Sequence, residues 1–192
     1  MSLILLDKSY EARHALQGEL VGAANWMDES HSRESTLREK LLEHAFVTEL
    51  MKCLWRKGVK DIDVLRPEVD RGGYDVVISC NDVHRYIQLK ASHLEAKTSR
   101  QKVNANLATR PGGCVIWMRF DPATLALGPF LWFGGEPGAP CPALGDAVAR
   151  HTKGDRSGVK ALRPNIRILN RNQFKLLQNI EDVAVVLFGA SR

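Results

Sequence analysis

The sequence YDVVISCNDVHRYIQLKA, at residues 74–91, says most about the fold of this chain. Residues 74–80 are rich in β-branched side chains, and residues 84–91 alternate apolar and polar side chains. Both patterns are typical of β-strands, and the Asn81-Asp82 pair between them is a turn signal. The stretch therefore predicts an antiparallel hairpin.

Two further elements are predicted before the hairpin. A helix is expected to begin near Thr36, because Thr36 and Glu39 form a capping-box pattern, and to end at Gly58. Its apolar residues recur at helical spacing: Leu42, Phe46, Leu50 and Cys53. Residues 61–66 alternate as a short strand does.

After the hairpin, Thr98 or Ser99 is predicted to cap a short helix. Residues 114–120 are nearly all apolar, which indicates a central strand. The predicted core is therefore α/β, with the order αβββαβ and a mixed central sheet over residues 36–120. Strands at residues 129–133 and 165–169 and helices within residues 173–188 are expected to follow.

The domain organisation predicted from this pattern is one domain with two additions. Residues 1–35 form an N-terminal helical addition and linker, with a loose helical pattern at residues 11–24. Residues 36–120 form the core. Residues 121–192 form a C-terminal β/α extension packed on that core.

The composition is that of an ordinary globular protein. The chain has 192 residues, of which 44% are hydrophobic and 26% charged, and a net charge of +5. These values exclude a disordered or fibrous chain, and no apolar run is long enough to span a membrane. Four widely spaced cysteines lack metal-site or disulfide spacing, so we expect buried, reduced thiols and a cytoplasmic location. The mild positive charge permits a nucleic-acid partner without requiring one.

One group of polar residues suggests chemistry. Gln88 and Lys90 share one face of their strand, and the neighbouring strand can place Asp75 beside them. Glu43, on the preceding helix, can add a second carboxylate. One or two carboxylates suit Mg²⁺, which keeps several waters, and a bound metal with a lysine can stabilise the charge of a phosphodiester.

These residues also resemble a known family. Asp75, twelve intervening residues and then Gln88-Leu89-Lys90, after a helix that carries Glu43, resemble the PD-(D/E)XK, or restriction-endonuclease-like, nuclease superfamily. Residues 70–75 and 85–90 are similar to the branch in which glutamine replaces the acidic residue, as in Mrr-like and Holliday-junction-resolvase-like nucleases. The resemblance covers about residues 36–120.

The resemblance implies a role for each matched residue. Asp75 would be the central ligand of Mg²⁺ or Mn²⁺, Gln88 and the Leu89 backbone carbonyl would be further ligands, and Lys90 would be the catalytic lysine. Glu43 would be the helix carboxylate. The neutral Gln88 departs from the acidic motif and implies weaker metal binding, and Tyr74 stands where the motif has proline.

Each of these assignments has a structural alternative. Asp75 can cap the turn after Gly72-Gly73, and Lys90 can be a solvated lysine at a strand end. Glu39 or Glu49 can replace Glu43 as the helix carboxylate, or all three can form a solvated face. Asp70 is expected to be a turn residue.

Basic residues beyond the motif are candidates for nucleic-acid binding: Lys97, Arg100, Lys102 and Arg110. A second basic group lies at residues 150–156, including Arg156. Both groups have a solvated surface as the alternative interpretation.

The sequence therefore predicts a metal-dependent nuclease that acts on DNA, in restriction, defence or repair. The alternative is a catalytically silent nucleic-acid-binding or protein-interaction module with the same fold. A nuclease acting on RNA, or a toxin-like effector, is a third option. A homodimer stays open, because nucleases of this fold often pair to cut two strands.

Overall fold

The computed structural model describes residues 34–69, 71–153 and 158–189. The predicted helix at residues 11–24, Asp70 and Arg156 lie outside the described residues. The described residues from Leu42 onward belong to one compact unit, which begins inside the first helix. No helix in the described part of the chain is long and apolar enough to cross a membrane.

The described residues form two helices and nine strands, with short 3₁₀ helices at Ala105–Thr109 and Arg171–Gln173. The helices are α1 (Ser35–Arg56) and α2 (Ile180–Phe188). The strands are β1 (Ile62–Leu65), β2 (Val76–Cys80), β3 (Val83–His93), β4 (Arg100–Asn104), β5 (Gly113–Phe120), β6 (Leu127–Gly134), β7 (Val148–Arg150), β8 (Leu162–Asn170) and β9 (Lys175–Leu177).

The strands form two sheets. The larger sheet has six strands in the order β1-β2-β3-β5-β6-β9. Its β3–β5 pair is parallel and its other pairs are antiparallel. The smaller sheet has the antiparallel order β4-β8-β7. The predicted α/β class with a mixed sheet is confirmed.

The β2–β3 hairpin forms as predicted. Val76 pairs with Ile87 and Cys80 with Val83. Asn81 and Asp82 have φ angles of 46° and 64°, as the two central residues of a type I′ turn require. This turn matches the right-handed twist of the strands it joins.

Different elements pack on the two faces of the six-stranded sheet. One face buries Ile78, Ile87 and Ile116 in a core that includes residues of α1 and α2. On the other face, Val115 and Trp117 pack in a second core with residues of β4 and β8. Gln88 pairs with Val115 and Lys90 with Trp117, and residues paired across two strands lie on the same face. Gln88 and Lys90 therefore face the smaller sheet.

The prediction of a short helix capped by Thr98 or Ser99 is wrong. Residues 100–104 form β4, and a 3₁₀ helix follows it. β4 pairs with β8, with Arg100 opposite Asn170 and Asn104 opposite Ile166. Its backbone partners thus lie more than sixty residues along the chain, where a local sequence pattern cannot reveal them. The described core therefore departs from the predicted αβββαβ order, because β4 and a 3₁₀ helix stand where the second helix was expected.

Two smaller predictions are also corrected. α1 begins at Ser35, and Arg38 N donates to Glu34 O at 2.9 Å, so Thr36 lies inside the first turn and does not cap it. The end of α1 before Gly58 agrees with the prediction. Residues 173–188 contain β9 as well as α2, because residues 175–177 pair with β6 and extend the larger sheet.

Candidate functional site

Asp75 lies where β2 and β3 separate. Its backbone N donates to Ile87 O at 2.9 Å, and its carboxylate Oδ2 accepts from Leu89 N at 2.6 Å. A strand residue directs its N–H and its C=O to the same side, so the Leu89 carbonyl also faces Asp75. The separation of the two strands thus places a carboxylate and a main-chain carbonyl at one gap in the sheet.

Gln88 and Lys90 complete the polar group on the face toward the smaller sheet. Gln88 is buried, with 7% of its surface exposed, and its Oε1 accepts from Asn104 N at 3.2 Å. Lys90 is partly buried. Gln88 and Lys90 thus share the face toward the smaller sheet, and Asp75 is hydrogen bonded to the backbone of Leu89, the residue between them.

The loop before Asp75 is fastened to the end of β4. Gly73 has a φ of +74°, and a Cβ at this position would lie 2.6 Å from Asn104 Cβ. Asn104 Oδ1 accepts from Asn106 N at 3.0 Å, and Asn106 Nδ2 donates to Arg71 O at 2.9 Å. Since Asn104 N also holds Gln88, the close approach at Gly73 helps to fix that side chain.

Among the candidate helix glutamates, Glu43 is buried and forms an ion pair with Arg66. Leu65 pairs with Val77, so Arg66 follows β1 at the end of the sheet where β2 begins and Asp75 lies. Glu49 instead pairs with Lys52 at the surface, at 2.9 Å. Glu39 is exposed.

An open groove of about 840 Å³ begins at Lys90. Its walls come from residues 97–102, from β7 with the two residues after it, and from Lys160 and Ile168. Its lysine and arginine residues are Lys90, Lys97, Arg100, Lys102, Arg150 and Lys160. None of the described residues that line it is Asp or Glu. We call this surface the cationic groove.

Three of the four predicted nucleic-acid-binding residues line the cationic groove, and Arg110 does not. The Arg110 guanidinium lies 5.7 Å from the ring centre of Tyr74 and 5.8 Å from that of Tyr86. Nothing in the sequence singles out Lys160 as a groove residue. Only the pairing of β7 with β8, which sets Arg150 opposite Leu162, brings Lys160 beside Arg150.

A buried network holds the loop that leads from β3 to the groove. Ser92 Oγ accepts from Trp117 Nε1 at 2.7 Å and from Arg119 Nη1 at 2.9 Å. Arg119 Nη2 donates to the backbone carbonyls of Leu94 and Ala96. Burial lowers the pKa of Arg119. The network thus orders the chain just before Lys97.

The two histidines near the site strand lie apart from this group. His84 Nδ1 is 2.6 Å from Ser79 Oγ on the exposed part of the hairpin. The ring of His93 packs edge-on against Phe120, with 6.5 Å between the ring centres.

The donor groups at the gap suit a hard cation with few protein ligands. Mg²⁺ takes one or two carboxylates and keeps several waters, and Asp75, Gln88 and the Leu89 carbonyl offer one carboxylate and two neutral oxygens. Within the described ranges, no three His, Cys, Asp or Glu residues cluster as a metal site. The donor types present are ones that magnesium or manganese accepts.

No protein family matches the chain in a scan of known families, and a search of curated proteins finds no similar sequence.

Proposed function

We propose that this protein is a nuclease of the PD-(D/E)XK type that depends on Mg²⁺ or Mn²⁺ and hydrolyses phosphodiester bonds of DNA. One observation carries the proposal. The Asp75 carboxylate is hydrogen bonded to Leu89 N where β2 and β3 separate, and Leu89 lies between Gln88 and Lys90, whose side chains share one face of β3.

The architecture supports the proposal in part. The expected order is followed by α1, by the antiparallel strands β1, β2 and β3, and by β5, which is parallel to β3. The second helix of the αβββαβ order is replaced by β4 and a 3₁₀ helix. This departure concerns the connection between β3 and β5, and the strands that bear the motif residues are present.

Each motif residue has a distinct part in the proposed reaction. Asp75, Gln88 and the Leu89 carbonyl would hold the metal, which supplies Lewis-acid stabilisation of phosphate charge and a more acidic water. Lys90 places a positive charge where negative charge develops on the oxygens of the reacting phosphate. Asn104 keeps Gln88 oriented through its backbone N–H. Arg66 holds the Glu43 carboxylate at the same end of the sheet.

The test is cleavage of supercoiled, linear and single-stranded DNA with Mg²⁺ or Mn²⁺. We expect Asp75→Asn and Lys90→Ala to lower the cleavage rate by at least about 10²-fold, the usual loss for one group that stabilises transition-state charge. Asp63→Asn and Lys175→Ala change the same residue types on exposed positions of the same sheet and should cut like the wild type.

A second candidate is a binding module without catalysis. It is favoured by the ion pair that engages Glu43 with Arg66, which leaves Asp75 as the carboxylate at the gap. If folded wild-type protein cuts none of the three substrates, or if the Asp75 and Lys90 variants cut as well as their controls, the nuclease proposal is wrong. If the wild type cuts nothing, the binding module becomes the preferred function.

A further inference from the structure

We infer that the cationic groove binds the phosphate backbone of duplex DNA, and that the β7–β8 pair, which lies outside the residues that resemble the nuclease family, forms one wall of this binding site. The inference rests on the proposed function for the position of the reacting phosphate near Lys90. Binding in the groove itself requires no metal.

The charge of the groove is the first argument. Six lysine and arginine side chains line one surface, and none of its described lining residues is acidic. The chain as a whole carries 27 basic and 22 acidic residues, so a random surface of this size would contain both signs. A concentrated field of one sign attracts a polyanion and releases its counterions on binding.

The construction of the groove is the second argument. Arg100 and Lys102 are exposed, while Val103 next to them is buried, because strand side chains alternate between faces. On the opposite wall, Arg150 Nη1 donates to Lys160 O at 3.0 Å. This bond joins the end of β7 to the segment just before β8, so two basic residues ten positions apart are held at one place.

The side chains that line the groove favour duplex DNA over single-stranded DNA. Proteins that bind single strands combine basic grooves with aromatic side chains on which the unpaired bases stack. The described lining contains no Phe, Tyr or Trp. The nearby Trp117 and Phe174 rings pack together in the core, with centres 5.5 Å apart. A surface that offers cations without stacking platforms contacts phosphates and leaves the bases paired.

The salt dependence of binding gives a quantitative expectation. If all six basic side chains neutralise phosphates, log K should fall with log salt with a slope of about −5, since each contact contributes about −0.9. Affinity then falls by about 10³-fold between about 50 and 200 mM salt. Lys102→Ala with Lys160→Ala removes one cation from each wall and should reduce the slope by about 2.

The experiment measures fluorescence anisotropy of a short labelled DNA duplex, and of one of its strands alone, with the full chain in EDTA. The control carries Lys57→Ala and Lys175→Ala, which make the same charge change at exposed positions outside the groove. We expect wild type and control to share one slope, the groove variant to have a shallower one, and the duplex to bind more tightly than the single strand.

Two results would overturn the inference. One is a groove variant with the same slope and affinity as its control, and the other is a single strand that binds as tightly as the duplex. Because cleavage cannot occur in EDTA, the two proposals fail separately. Protein that binds duplex with the expected slope but never cuts with metal supports the groove and refutes the nuclease.

Discussion

Replacing Gly73 with alanine tests how the loop before Asp75 is held against β4. A Cβ at Gly73 would lie 2.6 Å from Asn104 Cβ and 2.7 Å from Asn104 Cγ. Both distances are shorter than any ordinary contact, so Asn104 must move. Asn104 N donates to Gln88 Oε1, and its movement therefore also disturbs the candidate site.

The expected cost has two parts. A φ of +74° disfavours any residue with a Cβ by about 1–2 kcal/mol. Forcing an additional carbon into a packed place costs a further 1–3 kcal/mol or so. Gly73→Ala should therefore lower the free energy of unfolding by about 2–5 kcal/mol.

Gly145→Ala is the matched control. Its φ of +73° is nearly the same, but a Cβ there would meet nothing within 4 Å. This variant should lose only the backbone part, about 1–2 kcal/mol. Urea unfolding followed by tryptophan fluorescence measures both variants. If the two lose the same free energy, the contact between Gly73 and Asn104 does not exist as described.

Two further predictions concern the interior. Burial raises the pKa of the Cys141 thiol to about 11, so this thiol should react with a disulfide reagent at pH 8 only after unfolding. Because the folded pKa lies above the unfolded value of about 8.5, the free energy of unfolding should fall as the pH rises above that value. A free energy of unfolding that does not change up to about pH 10 would contradict this. Ser92→Ala removes the acceptor of Trp117 Nε1 and Arg119 Nη1 and should cost about 1–3 kcal/mol in urea unfolding. Ser79→Ala, which alters an exposed contact with His84, should change stability by less than about 0.5 kcal/mol, and equal losses for the two serine variants would refute the buried network.

The candidate site illustrates which assignments local patterns support. Alternation along β3 is sufficient to place Gln88 and Lys90 on one face, and the short hairpin turn brings Asp75 to the backbone of Leu89 between them. The sequence does not reveal that Asn104 holds Gln88, or that Arg66 pairs with Glu43. Both contacts join segments that are far apart in the chain, and no periodicity connects them.

The basic residues show the same limit. Lys97, Arg100 and Lys102 are visible as a charged run, but a charged run does not indicate which neighbours share its surface. Arg110 belongs to the same run and instead lies over two tyrosine rings. The pairing of β4 with β8, and of β8 with β7, brings the second basic group to the same groove.

The amino-acid sequence by itself determined the first helix, the β2–β3 hairpin, the central strand β5 and the burial of the four cysteines, because hydrophobic periodicity and turn chemistry act over a few neighbouring residues. Only the tertiary structure decided that residues 100–104 are a strand and that the C-terminal third of the chain forms a wall of the cationic groove. The backbone of a strand is satisfied by hydrogen bonds to another strand, and its partner can lie anywhere along the chain.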